Sequence, residues 1–421
     1  MSTTPPPPTP PPGEQPPADR PPPEQGEPAT AAAKLQVKQK AGGIIPPVLT
    51  AIFAFFMGGL VILASGENPI TAYQGILEGA GINWFWDHLG NTDVLDLSTF
   101  NLTQTLLRAT TFALTGLAVA FAFRCGLFNI GGQGQYTMGV VVGVWVGAYW
   151  SDFLPSGLHV VVGIVLAGLA GALWAGIAGI LKATVGAHEV ITTIMLNWIA
   201  FWFASYCFGQ GGPLQNTRVG SESVPISDSV YDNGVFIPIL WGDEGLQALH
   251  YGIFLAVAAL IAFYLVMNRT TLGYEVRAVG FNPEAAAYGG ISVKKSFFLA
   301  MAISGLFAGL AAAVDIFGWK YTAGVLDIQA STVGFVGIAV ALLGRSTALG
   351  VGLAAFVFGA LDYGTTRGLD PEVFDPTLAG NLSLMIQGLV VLFVGADLLI
   401  LYLWNLRRKR FASPRMSGRG T

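Results

Sequence analysis

Long apolar stretches recur along this chain, separated by polar segments, and the pattern predicts an all-α polytopic membrane protein. A spanning helix needs about 20 predominantly apolar residues. On that rule the chain holds about ten transmembrane helices, near 47–65, 104–123, 136–150, 157–181, 190–209, 251–268, 295–317, 332–345, 346–366 and 380–404. The third and eighth are short, and the join between the eighth and ninth is the least defined boundary. Between the second and third stretches the run Arg124 to Gln135, RCGLFNIGGQGQ, interrupts the pattern. Its glycines and amides predict a broken or re-entrant backbone at membrane depth. Such backbone is tolerated only where it is buried in protein or lines a cavity, because lipid cannot satisfy its N–H and C=O groups. Transporters commonly handle their cargo at discontinuous segments of this kind. A transport protein is therefore the first functional expectation.

The polar ends divide the chain and orient it. Residues 1–42 are rich in proline and low in complexity, which predicts a disordered cytoplasmic tail. They lack the apolar core of a cleavable signal peptide. Residues 43–406 form the predicted transmembrane domain, and 407–421 a basic cytoplasmic tail. Lys and Arg favour the cytoplasmic side of short loops. With both termini inside, that side collects 17 of the 21 basic residues, among them Arg124, Lys182, Arg269, Arg277, Lys294, Lys295 and Arg345. The segment 66–103 carries no basic residue, and 210–250 carries only Arg218. An even number of spans satisfies this asymmetry.

Composition agrees with lipid as the solvent. Hydrophobic residues make up 53% of the chain and charged residues 11%, far below the roughly 25% charged residues of a soluble protein. The 55 glycines suit close helix packing. Gly139, Gly143 and Gly147 recur on one helical face, as do Gly305 and Gly309, and these read as backbone-contact faces. Cys125 and Cys207 are too few for a disulfide framework and read as small packed hydrophobes. Trp145, Trp150, Trp198, Trp202 and Trp404 include interfacial anchors, and aromatic residues of the fifth span are also candidates for lining a ligand route.

The longest internal cytoplasmic loop, 269–295, contains a compact helix signal. Asn282, Pro283 and Glu284 supply an N-cap amide, a proline at the first helical position and an acid in the first turn. Ala285, Ala286 and Ala287 extend the helix through Tyr288, and Gly289 and Gly290 stop it. Two turns are too short to be stable alone, so this helix must dock, either on its own membrane domain or in a groove of a cytosolic partner. The chain has no engine of its own. It lacks G-x-x-x-x-G-K-[ST], and no lysine in it follows a glycine. His88, His159, His188 and His250 are isolated, and no nucleophile–base or metal constellation is visible, which disfavours an enzyme. A carrier driven by an ion gradient needs intramembrane acids, whereas Asp315, Asp362 and Asp397 lie near predicted span ends.

Four stretches carry a resemblance: LTGLAVAFAFRCGLFNIGGQGQ (114–135), HEVITTIMLNWIAFW (188–202), AVGFNPEAAAYGGIS (278–292) and GIAVALLGRSTALGV (337–351). In their order and content they resemble the permease subunits of bacterial ABC importers of the ribose and branched-chain amino acid superfamily. The nucleoside branch, which works with basic membrane lipoprotein-type binding proteins, is the most similar, and G-L-F-N-I-G followed by G-Q is like the larger of its two permeases. The resemblance implies a multi-pass protein of the bacterial plasma membrane and no cofactor in this chain. It implies three partners: a second permease subunit, an extracytoplasmic substrate-binding lipoprotein and a cytoplasmic ATPase that uses ATP and Mg. It also makes 282–288 the ATPase coupling helix. The chain departs from the family pattern at Gln133, usually Glu, at His188, usually Asn, and at Val336, often Asp.

A nucleoside is uncharged, so its path needs neutral donors and acceptors beside apolar or aromatic faces. Asn129, Gln133 and Gln135 are candidates from the interrupted run. Thr193 and Asn197 are candidates from the fifth span, on a stripe running from Glu189 to Phe201. Hydrogen bonding between helices is the equally weighted reading of Asn197 and the threonines. Arg108 is an intramembrane charge and a pathway candidate by default, with snorkelling to the interface as its alternative. Ribose or another simple sugar is the nearest alternative cargo, and a gradient-driven secondary transporter the alternative of another class.

Overall fold

The computed structural model describes residues 45–64, 66–87, 92–216, 224–230, 234–236 and 249–368, with isolated positions between 381 and 392. The two predicted tails, most of the tenth span and much of segment 210–250 lie outside the described residues. The described chain is helical: α1 (Ile45–Ala64), α2 (Pro69–Gly79), α3 (Trp84–Asp87), α4 (Thr92–Arg124), α5 (Gly132–Tyr149), α6 (Leu158–Val185) and α7 (Glu189–Phe208). Then follow α8 (Gly252–Arg269), α9 (Thr271–Phe281), α10 (Pro283–Tyr288), α11 (Val293–Asp315), α12 (Val325–Ala330), α13 (Val333–Leu343) and α14 (Ala348–Gly368), with a π turn at Ile316–Lys320 after α11. Among the described residues there is no strand, only two isolated bridges, Gln215 with Ser227 and Ile226 with Gly324.

Among the described residues seven helices are long and apolar enough to cross a membrane, or eight if the bent pair α1–α2 counts as one span. The sequence pattern predicts about ten, of which the tenth lies mostly outside the described residues and the first and third take forms of their own. The predicted third span is α5, which is buried in protein along most of its length, from Gly132 to Ala148. A helix shielded by its neighbours can carry the polar start GQGQ and does not need the hydropathy of a lipid-facing one. The predicted first span ends at a sharp bend of 119° into α2, which lies in a segment expected to be loop. Asn68 caps that helix, its Oδ1 accepting from Ile70 N at 2.9 Å. Gly75 and Gly79 bring α2 into backbone contact with Gly368 at the end of α14.

α4 is the central post. Every residue from Ala109 to Phe123 is buried, under α8, α11, α13 and α14. Around it, α5, α6 and α11 pack by their glycines. A Cβ on Gly305 would lie 2.1 Å from the Gly171 carbonyl oxygen, and one on Gly309 2.2 Å from that of Ala167. A Cβ on Gly139 would lie 2.9 Å from Gly309 Cα, and one on Gly147 2.7 Å from Val230 Cγ2. Gly143 differs, with 3.8 Å to Ile316. Cys125 and Cys207 are free and buried, as small packed hydrophobes are.

The least defined boundary resolves into a tight turn between α13 and α14. Arg345 and Ser346 both take left-handed backbone, at φ 51° and 50°, a region L residues seldom occupy. Arg124 holds the turn, donating from Nε and Nη2 to the Ser346 carbonyl at 2.9 and 2.7 Å. Gly280 of α9 presses on the Arg124 carbonyl. The C-terminal end of α4, the α13–α14 turn and the loop helices therefore share one end of the bundle.

Candidate translocation site

α4 stops at Arg124, and the chain passes through Gly126 (φ +78°) into an extended stretch before α5 begins at Gly132. Freed backbone groups buried in protein need partners, and amide side chains supply them. Asn129 Oδ1 accepts from Gly131 N at 2.9 Å, and its Nδ2 donates to Gln135 Oε1 at 2.9 Å and Ser304 Oγ at 2.7 Å. Gln135 Nε2 returns a bond to Asn129 Oδ1 at 3.0 Å. From α7, Asn197 clasps the break at both ends, donating to Ile130 O at 3.0 Å and accepting from Gly134 N at 2.8 Å. Gly134 permits this, since a Cβ there would stand 2.9 Å from Asn197 Cα.

Gln133 joins the start of α5 to the start of α13. Its Oε1 accepts from Gly334 N at 2.8 Å, and its Nε2 donates to Ser331 Oγ at 3.0 Å. Two helix N-termini thus meet around one neutral side chain. Gly334 is obligatory at this crossing, because a Cβ would come within 2.2 Å of Gln133 N. Thr193 is buried beneath the same break and donates to the carbonyls of Glu189 and Val190, at 2.8 and 3.1 Å. Glu189 in turn pairs with Lys182 at 2.9 Å. Asn129, Gln133, Gln135, Thr193 and Asn197 therefore form one assembly of α5, α7, α11 and α13.

Arg108 belongs elsewhere. It pairs with Asp362 of α14 at 3.4 Å and lies 4.7 Å above the Trp319 ring. It borders a charged cluster that the sequence reading did not assemble. Asp315, 1% exposed at the end of α11, accepts from Thr111, Tyr136 and Trp319 Nε1 and pairs with Lys320 Nζ at 3.0 Å. The sequence signal was an acid, a tryptophan and a lysine at 315, 319 and 320, ending a long apolar helix. Polar residues at such depth mark function or pairing.

The segment 269–295 folds as α9, α10 and the start of α11. Asn282 caps α10, its Oδ1 accepting from Glu284 N at 3.0 Å and Ala285 N at 3.1 Å. Pro283 fills the first helical position, and Gly289 and Gly290 end the helix, the latter at φ +83°. Ala286 anchors it with 6% exposure. Its other face is open: Glu284, Ala285 and Ala287 are exposed, and Tyr288 shows 94% of its surface.

The family model described as branched-chain amino acid transport system / permease component matches residues 101–395. Among curated relatives, the guanosine ABC transporter permease protein NupP of Bacillus subtilis (strain 168) is 34% identical over 378 residues, 88% of this chain and 98% of that protein. The nucleoside ABC transporter permease protein NupB of Lactococcus lactis subsp. cremoris (strain MG1363) is 32% identical over 80% of this chain and 89% of that protein. The glucose ABC transporter permease protein TsgB13 of Haloferax volcanii is 35% identical over 83% of this chain and 86% of that protein. Bacillus subtilis contributes a second permease, NupQ, 25% identical over 63% of this chain and 82% of that protein. No solved structure matches the chain significantly. The break at 125–131, held by amides between packed apolar helices, thus sits in a chain that belongs to the branched-chain amino acid transport system / permease component family.

Proposed function

We propose that this chain is a permease subunit of an ATP-binding cassette importer and forms half of the translocation path for a nucleoside. The similarity to NupP and NupB over most of the chain carries this reading. The second permease NupQ in the same organism as NupP supports a paralogous partner subunit. A cytoplasmic ATPase using ATP and Mg, and an extracytoplasmic binding lipoprotein, complete the assembly. This chain has no ATPase site and acts as the conduit.

In this reading ten spans lie in the bacterial plasma membrane with both termini in the cytoplasm. The end holding Arg124, Arg345 and the loop helices faces inward. Asn282 through Tyr288 form the coupling helix, and the unpartnered Tyr288 and Glu284 face the ATPase. The path runs past Arg108 and the assembly of Asn129, Gln133, Gln135, Thr193 and Asn197. Its neutral amides suit an uncharged base and its ribose. The match to a glucose permease favours a simple sugar as the second reading.

The test is uptake of radiolabelled guanosine by cells carrying all subunits, with a strain lacking this chain as control. ATP-dependent uptake lost in the control and blocked by unlabelled nucleosides supports the reading. Uptake blocked by glucose and indifferent to nucleosides replaces it with the sugar reading. Affinity purification that never recovers a P-loop ATPase would refute the importer itself.

A further inference from the structure

Central helix α4 is closed off by protein from Ala109 to Phe123, but Arg108, just before that stretch, reaches the surface with a side chain 37% exposed. It lies about 24 Å along the helix from Arg124, at 1.5 Å per residue. That places it near the opposite boundary of a hydrocarbon core about 30 Å thick. Asp362 faces it from α14, 34% exposed, and the Trp319 indole lies beneath its guanidinium. Lys320 Nζ lies 5.0 Å from the same indole and connects to Asp315 below. The side chains run from the partly exposed Arg108 and Asp362 to the buried Asp315.

The buried and the partly exposed groups differ in what they have left to offer. An ionised carboxylate has about four acceptor positions. Asp315 faces four donors, from Thr111, Tyr136, Trp319 and Lys320, and is saturated. It fastens α4, α5 and the π turn to α11. Arg108 makes one ion pair, at 3.4 Å, and one ring contact, which leaves most of the five guanidinium donors unused. Asp362 likewise keeps carboxylate acceptor capacity. Two cations and two carboxylates balance within the cluster, so a neutral cargo meets it without upsetting the charge. Free donors, free acceptors and an aromatic face in reach of one another suit vicinal hydroxyls on a ring.

We propose that Arg108 and Asp362, beside the Trp319 indole, form a receiving site at the extracytoplasmic mouth for the ribose hydroxyls of an uncharged nucleoside. The site rests on the nucleoside importer reading and adds to it a specific set of contacts. Asp362 accepts from the ribose hydroxyls, Arg108 donates to their oxygens, and Trp319 meets the apolar side of the ring.

The test uses the complete importer in proteoliposomes, with saturating binding lipoprotein and matched ribonucleoside and 2′,3′-dideoxynucleoside. Wild-type uptake of the ribonucleoside confirms the cargo before the site is probed. Absence of that uptake overturns the importer reading and this site together. In Asp362→Asn, ribonucleoside turnover should fall about tenfold, the scale of one lost charge-assisted hydrogen bond. The dideoxy analogue, which has no hydroxyls to lose, should change less than about twofold. An equal fall for both cargoes would mean a structural role and overturn the site, as would no fall for either. Labelling provides an independent reading. In Thr366→Cys, an exposed position one helical turn along α14 from Asp362, a membrane-impermeant thiol reagent applied to intact cells should react at 366, and ribonucleoside should slow the reaction more than the dideoxy analogue. The native cysteines are both buried. No reaction from outside, or equal protection by both analogues, overturns the proposal.

Discussion

Asp315→Asn tests whether a buried ion pair ties one end of the bundle together. The carboxylate is 1% exposed and bound by Thr111 of α4, Tyr136 of α5, and Trp319 and Lys320 of the π turn. Asparagine keeps the volume and one oxygen but turns the other acceptor into an NH2 donor. That donor then faces the Tyr136 hydroxyl or the Lys320 ammonium, both donors here, since Lys320 also donates to Tyr136 at 3.0 Å. Removing one partner of a buried ion pair costs about 3–5 kcal/mol, because a charge is left uncompensated. The Lys320 side chain is 26% exposed and can turn partly toward water. A loss of about 3 kcal/mol, the low end of that range, is therefore expected.

A second variant separates lost charge from lost shape. Replacing a buried pair by apolar groups of similar size is often neutral or even stabilising, so Asp315→Asn with Lys320→Met should recover about 2 kcal/mol over the single variant. Stability is read by unfolding the purified protein from detergent micelles with a graded denaturing detergent, following near-ultraviolet circular dichroism. A single variant within about 1 kcal/mol of wild type would refute the reasoning. So would a double variant as unstable as the single one, since the damage would then lie in the missing hydrogen bonds.

Three further outcomes follow from other parts of the molecule. In Gly305→Ala the new methyl meets the Gly171 carbonyl at 2.1 Å, so overpacking of about 1–3 kcal/mol should outweigh the helix-propensity gain of about 1 kcal/mol. Gly352→Ala, which meets only the flexible tip of Leu260 at 3.3 Å, should be neutral or stabilising by up to about 1 kcal/mol in the same unfolding assay, and equal effects at the two sites would contradict the packing argument. Glu284→Lys, or proline at Ala286, should leave the protein inserted and the ATPase active while uptake is lost; unchanged uptake would remove α10 from the coupling role. Burial pushes the His250 imidazole down to about 4, against the field of Asp315, which raises it. The folded value lies below the ordinary 6.5, so full stability holds above about pH 6.5 and falls toward pH 4, by on the order of 3 kcal/mol. His250→Asn keeps an acceptor for Gly252 N, which now donates to Nδ1 at 3.0 Å, and should flatten that fall in thermal unfolding scans; an undiminished fall would assign it to another group.

Local chemistry was the part of this protein legible in the sequence. The start of α10 follows from three adjacent residues, Asn282, Pro283 and Glu284, and the cap bonds lie within three positions of one another. The interruption at 125–131 was readable because glycines and amides break an otherwise apolar pattern. Partners distant in sequence were not readable. Asp315 meets Thr111 across 204 positions and Tyr136 across 179, and no periodicity in either segment encodes the pairing. Hydropathy also cannot separate a helix that faces lipid from one that faces protein, so the burial of α5 among its neighbours was not readable from its apolar run.

The amides of the break carry a mechanical consequence for any transport cycle. Asn197 ties the break to α7, Asn129 ties it to Ser304 of α11, and Gln133 ties it to Gly334 and Ser331 at the start of α13. Each hydrogen bond contributes only about 0.5–1.5 kcal/mol net, but an amide stripped of its partner away from water costs more than that. Sliding α7 or α13 against α5 strips several at once. That motion is cheap only when other donors and acceptors arrive as the bonds break, and a polar, uncharged solute supplies both. On the proposed importer reading, the same residues hold the resting backbone and exchange their bonds with a passing cargo, so the helix-bonding and pathway readings of Asn197 become two stages of one cycle.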